Sequence, residues 1–146
     1  MIIFETKGKI TPDSNKTNLV RRFDVPDNLK SLKISFSYSP KALENREKAI
    51  AEIKSCFEKY NETMPLKPAD CLPVKNLVTI SADDENGYRG AAHRQDSEQE
   101  HIISEDYASP GFIKGKITQG EWDIILNVHS ISCDVDYILK VEGEEK

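Results

Sequence analysis

The sequence has no long hydrophobic run, no surplus of positive charge and no short cysteine spacing, and each absence removes a class of function. No stretch approaches the ~20 apolar residues that span a bilayer as a helix. The opening Met1-Ile2-Ile3-Phe4-Glu5 carries neither a basic start nor an extended apolar stretch, so no cleavable signal is expected and a cytoplasmic location follows. Lys and Arg number 20 against 25 Asp and Glu, a net charge of −5. Phosphate backbones and acidic lipid surfaces need clustered cations, so neither nucleic acid nor membrane is an expected partner. The densest basic pair, Arg21-Arg22, has Asp24 close by. Three cysteines, Cys56, Cys71 and Cys133, are an odd number without C-x-x-C spacing, which predicts reduced thiols rather than a disulfide framework or a zinc knuckle. Catalytic signatures are missing as well. There is no G-x-S-x-G elbow, no H-x-H pair and no phosphate-cradling loop, since Gly87, Gly90, Gly111, Gly115 and Gly120 are scattered over turns. The expectation is a chain that is not an enzyme by itself, with no cofactor and no metal.

What is present is periodicity. A chain of 146 residues suits one domain, expected over residues 1–142, with 143–146 an acidic tail or the start of a linker. Leu19, Arg21, Phe23 and Val25 alternate with Val20, Arg22 and Asp24, and Leu32, Ile34, Phe36 and Tyr38 alternate with Lys33, Ser35 and Ser37. That period of two marks strands with one buried face. Residues 1–10, 74–82 and 99–104 read as further strands, and Phe112-Ile113 as the start of another. Trp122, Ile124, Leu126 and Val128 share one face, as do Val135, Tyr137, Leu139 and Val141, and the turn between them predicts an antiparallel pair. One stretch has the helical period instead. Ser39 reads as a cap, Pro40 as the first helical residue, and Leu43, Ile50, Ile53, Phe57 and Tyr60 as an apolar stripe with Cys56 among them. The sum is a mostly β fold: an antiparallel two-sheet sandwich, jelly-roll-like, with one inserted amphipathic helix around residues 40–60.

In the second half, Gly87-Tyr88-Arg89-Gly90, Ser109-Pro110-Gly111-Phe112 and Gly115-Lys116-Ile117-Thr118-Gln119-Gly120-Glu121-Trp122 resemble the β-sandwich region that precedes the hydrolase domain in bacterial PHP-type (polymerase and histidinol phosphatase) metallohydrolases. Phe23-Asp24-Val25-Pro26 and residues 32–40 resemble its opening strands. The closing Gly120-x-Trp122 hairpin is similar to prepeptidase C-terminal sandwich modules. The resemblance implies an accessory domain, either the excised N-terminal region of a longer protein or a stand-alone relative. In that family the metal-binding residues belong to the following hydrolase domain, so no catalytic residue carries over.

Within the chain, the densest group of recognition chemistry is Tyr88, Arg89, His93 and Arg94, after the Asn86-Gly87 turn. A planar guanidinium can take a carboxylate or phosphate by two parallel bonds, and a ring can stack on a sugar or other ligand face. The plainer account pairs Arg89 with Asp83 or Asp84 and packs Tyr88 on the sandwich edge. His93, His101 and His129 fall on a loop and two strands, where surface or structural roles are the bland reading of a would-be metal set. Asp83-Asp84-Glu85-Asn86 lacks the spacing of a calcium loop and reads as a solvated turn. Trp122, alternating with Ile124 and Leu126, reads as core rather than sugar platform. The functional expectation is therefore a non-catalytic accessory or interaction domain, associated with a metal-dependent hydrolase domain or with itself. The alternatives are a carbohydrate- or small-acid-binding module using the 83–94 loop and, more weakly, a metal-dependent hydrolase.

Overall fold

The computed structural model of the chain describes residues 1–40, 42–43, 74–94 and 96–146. Among the described residues ten strands follow in order: β1 (Ile2–Ile10), β2 (Thr17–Val25), β3 (Leu29–Ser39), β4 (Ala42–Leu43), β5 (Val74–Lys75), β6 (Leu77–Asp84), β7 (Gly87–Ala92), β8 (Glu98–Ser104), β9 (Gly120–Ser130) and β10 (Val135–Glu145), with a 3-10 turn at Pro12–Ser14. The eight long strands form two antiparallel four-stranded sheets, ordered β1-β10-β3-β8 and β2-β9-β6-β7, while β4 and β5 pair with each other. If only the long strands are counted along the chain, these orders are 1-8-3-6 and 2-7-4-5.

The alternation in the sequence explains the layers. In β3 the buried positions are Leu29, Leu32, Ile34, Phe36 and Tyr38, the last four alternating, and in β9 they are Trp122, Ile124, Leu126 and Val128. Successive side chains of a strand point to opposite faces, so each run gives its sheet one apolar side. The two apolar sides meet in one core, where Phe36, Ile34 and Leu139 of the first sheet join Ile80, Ile124 and Leu126 of the second. Arg21 of β2 crosses the layer at its margin, donating from Nε to the hydroxyl of Tyr137 on β10 at 2.9 Å. On the side where β1 and β2 lie, Phe4 stacks on Phe23 with ring centroids 5.0 Å apart.

Four expectations change. β9 and β10 are not a pair: β9 lies between β2 and β6, and β10 lies between β1 and β3 in the other sheet. Their apolar faces look at each other across the core instead of lying side by side. Phe112-Ile113 begins no strand, because Phe112 makes only an isolated bridge to Gly90. Tyr88 and Arg89 belong to β7 rather than a loop, and of Asn86 and Gly87 only Gly87 has positive φ, +120°. Ser39 ends β3 rather than capping a helix, and Ala42–Leu43 pairs with Val74–Lys75. The remainder of the helix expected at 40–60 lies outside the described residues. Among the described residues no helix is long and apolar enough to cross a membrane.

Candidate functional site

The side of the sandwich where β7 edges one sheet and β8 edges the other is closed by the segment between β8 and β9, residues 105–119. This seam bonds to both edges. On β7, Ala91 N donates to Gly111 O at 3.0 Å and Ile113 N to Arg89 O at 3.0 Å. On β8, Ser104 N donates to Tyr107 O at 2.7 Å and Ser109 N to Ile102 O at 2.8 Å. Edge groups of both sheets are thereby satisfied without a further strand.

Arg89 holds the seam in place. Its Nη1 donates to Asp84 Oδ2 at 2.9 Å and Lys116 O at 3.0 Å, its Nη2 to Ile113 O and Gly115 O at 3.2 Å each, and its Nε to Ile113 O at 3.3 Å. A guanidinium has five N–H donors, and here each has an acceptor. The guanidinium carbon sits 5.0 Å from the centre of the Trp122 ring, and Trp122 Nε1 donates to Thr118 O at 2.9 Å. Asp84 also accepts from Asn86 N at 2.7 Å, so the same carboxylate fixes the β6–β7 turn. The side chains of Arg89 and Asp84 are 9% and 5% exposed. Arg89 therefore faces inward as a structural cross-link, which is the plainer account of it. Trp122, 1% exposed, is a core residue.

The other three sequence candidates part company. Tyr88 is 60% exposed and lies at the far end of β7, roughly 16 Å along the strand from His93 at ~3.3 Å per residue. His93 and Arg94, both exposed, sit just past the other end of β7. They line a cleft of about 240 Å³ together with Ala91, His101, Pro110 and Gly111. This cleft opens between the two sheets, beside the seam. Asp96 Oδ2 accepts from Arg94 Nε at 3.0 Å and lies 2.8 Å from Nη2, which leaves Nη1 for another acceptor.

His101 reads from sequence as a surface or structural histidine, and only the fold brings it to this corner. It lies on β8, 1% exposed, with its ring 5.0 Å from that of Phe112. Its Nε2 is 3.0 Å from Gln99 Oε1. The Gln99 amide nitrogen donates to Asp96 O at 2.9 Å and Arg94 O at 3.4 Å, which orients Oε1 as the acceptor. Nε2 must therefore carry the hydrogen, and Nδ1 of the neutral ring is a bare lone pair. That Nδ1 is buried and has no partner.

Burial, assisted by the positive charge of Arg94, holds the His101 imidazole below its ordinary pKa. The unfolded chain protonates this residue near pH 6.5, the folded chain only lower, so in between the unfolded state binds more protons. Stability is thus lost as pH falls below about 6.5, by at most about 1.4 kcal/mol per pH unit for one group. The expected result is a melting temperature that drops more steeply between pH 6.5 and 5 in the wild type than in His101→Phe. Parallel curves for the two proteins would show that His101 does not titrate in this way.

Two wider grooves run over the outer face of the first sheet, about 810 and 540 Å³. Their charges answer one another: Lys30 with Glu144 at 3.1 Å, Lys33 with Glu100 at 3.1 Å and Lys140 with Glu142 at 3.3 Å. Such exposed pairs form a solvated ladder with little net field for a ligand. Among the described residues no three of His, Cys, Asp and Glu gather as a metal site would require. His129 donates to or accepts from Thr79 Oγ1 at 2.7 Å, and Asp83 and Asp84 belong to the β6–β7 hairpin. No protein-family model and no curated protein matches the chain.

Proposed function

We propose that this chain is a non-catalytic binding module of the accessory kind, which holds a small acidic ligand in the cleft at the β7–β8 corner. The observation that carries the reading is the composition of that cleft. In a protein of net charge −5, it is lined by Arg94 and His93 with backbone and apolar groups around them, and the carboxylate of Asp96, which pairs with Arg94, stands outside its walls. Arg94, whose Nε and Nη2 are held by Asp96, keeps Nη1 as a charged donor for a carboxylate oxygen, and His93 supplies a second donor. Arg89, buried beneath, keeps the seam and hence the cleft wall at Pro110-Gly111 in position. A site built on a rigid frame loses little entropy on binding. The strand order 1-8-3-6 against 2-7-4-5 supports reading the sandwich as a jelly roll, a double Greek key whose rims and corners carry ligand sites in many unrelated proteins. Association with a metal-dependent hydrolase domain belongs to the same proposal and rests on the sequence resemblance alone, which is tightest over residues 87–141 and extends to residues 23–26 and 32–40.

The test is a thermal-shift and calorimetric screen of the intact chain against short mono- and dicarboxylates. A carboxylate that raises the melting temperature in wild type should lose its effect in Arg94→Ala, with affinity down about tenfold or more, as for a charge-assisted contact of ~1.5–3 kcal/mol. Arg94 is exposed and its loss should leave the melting temperature of the ligand-free protein unchanged within about 0.5 kcal/mol of stability. A screen without any carboxylate bound at millimolar concentration, or binding that survives in Arg94→Ala, would remove the proposal.

A further inference from the structure

The geometry points to a more particular ligand: a short hydroxy acid or sugar acid, whose carboxylate meets Arg94 and whose hydroxyl donates to His101 Nδ1. This rests on the small-acid reading of the corner cleft and narrows it. The starting point is an unsatisfied group. Buried polar atoms without a partner are rare, because each one forgoes the bonds that water would supply. His101 Nδ1 is such an atom, and its ring lines the same cleft as Arg94 and His93.

The protonation state selects the partner. Gln99 is itself tied to two backbone carbonyls, so it presents oxygen to His101 Nε2 and obliges that nitrogen to donate. The opposite nitrogen can then only accept. A carboxylate oxygen has no hydrogen to give it, and a simple aliphatic acid would leave it as it is. A hydroxyl next to a carboxylate supplies both kinds of contact at once. The groups facing the ring are Phe112 from the seam, Gln99 of its own strand, and Arg94 and His93 from the β7–β8 connection. None of them offers Nδ1 a hydrogen bond. Nδ1 is itself covered, so binding requires that the wall around it yields to admit the hydroxyl. A cleft of about 240 Å³ is below the usual range for drug-sized ligands, roughly 300–1,000 Å³, and suits a molecule of a few carbons.

The experiment compares acids that differ by one hydroxyl: lactate against propionate, and malate against succinate, by calorimetry on the intact chain. In wild type the hydroxy acid should bind about tenfold more tightly than its partner, the ratio that one neutral hydrogen bond of ~1.4 kcal/mol gives. In His101→Phe, which keeps a ring against Phe112, the ratio should fall to about one while the simple acid binds as before. Long-range proton–nitrogen spectra of the wild-type imidazole provide a readout that needs no variant: the Nδ1 resonance should shift on adding lactate and stay in place on adding propionate. Equal affinities within each pair, together with binding that Arg94→Ala abolishes, would overturn this inference and leave the small-acid reading intact. A hydroxyl preference that persists in His101→Phe, or an Nδ1 resonance unmoved by lactate, would also overturn it. Failure of all four acids to bind would overturn both.

Discussion

Arg89→Ala is expected to cost about 3–5 kcal/mol of stability, measured as the shift of the urea unfolding midpoint at unchanged slope. The reason is the condition in which it leaves its partners. Asp84 would keep a carboxylate 5% exposed with its counter-charge gone, and the carbonyls of Ile113, Gly115 and Lys116 would lose donors together. Removing one member of a buried pair is worse than removing both, because the remaining charge is uncompensated. Arg89→Ala with Asp84→Ala should accordingly lose less than the two single losses added together. Arg89→Lys keeps the charge but offers three donors from one point, which cannot match acceptors spread along residues 113–116, so a substantial part of the loss should remain. A loss under about 1 kcal/mol for Arg89→Ala would show that the seam is held by something other than this guanidinium.

Gly111→Ala and Gly90→Ala should each cost about 3 kcal/mol or more. Gly111 has φ +93° and Gly90 φ +111°, where a side chain is strained by ~1–3 kcal/mol whatever the space. Space is also lacking. A Cβ on Gly111 would run into the carbonyl oxygen of Ala91, and one on Gly90 into Gly111 O and the Cα of Phe112. These are backbone atoms, bonded across the seam, and relieving the overlap means pulling residues 111–112 away from β7 at a further ~1–3 kcal/mol. Gly87 is the internal control. Its φ is +120° but nothing lies within 4 Å of the added atom, so Gly87→Ala should show the backbone strain alone. Thermal unfolding of the three variants checks the order. If Gly87→Ala were as damaging as Gly111→Ala, close approach of the seam to β7 would not be the cause.

The frame was legible in the sequence where the period was two. β3, β9 and β10 each carry four apolar side chains on one face, and the burial of Ile34, Ile124 and Leu139 follows from that alone. Period two says which side of a strand is wet. It does not say which strand lies alongside, and so β9 and β10, consecutive and similar, were expected to pair and instead face one another. β7 was missed for a different reason. Gly87-Tyr88-Arg89-Gly90-Ala91-Ala92 has no β-branched residue, and its inward side chain is an arginine, so nothing in it alternates by hydropathy. At the candidate site, the polar cluster of His93 and Arg94 was visible as loop chemistry. The Arg89–Asp84 pair was visible as one of two accounts of the same residues. His101 was visible only as one of three histidines of a would-be metal set and not as part of this cluster, because it lies eight positions after His93 and only the connection from β7 into β8 folds that distance back. The spacing of two to Gln99 on the same face of β8 is the one signal that could have been used, since it lets an amide and an imidazole meet.

Only β6 and β7 are neighbours along the chain and also in a sheet, among the eight long strands. Every other pairing joins distant parts, at the extreme Ile2 with Glu142. During synthesis, β1 and β3 must wait for β10, which is made after both and fills the gap between them. The nascent chain therefore carries open sheet edges until β10 has been made, and topologies of this kind fold in milliseconds to seconds rather than microseconds.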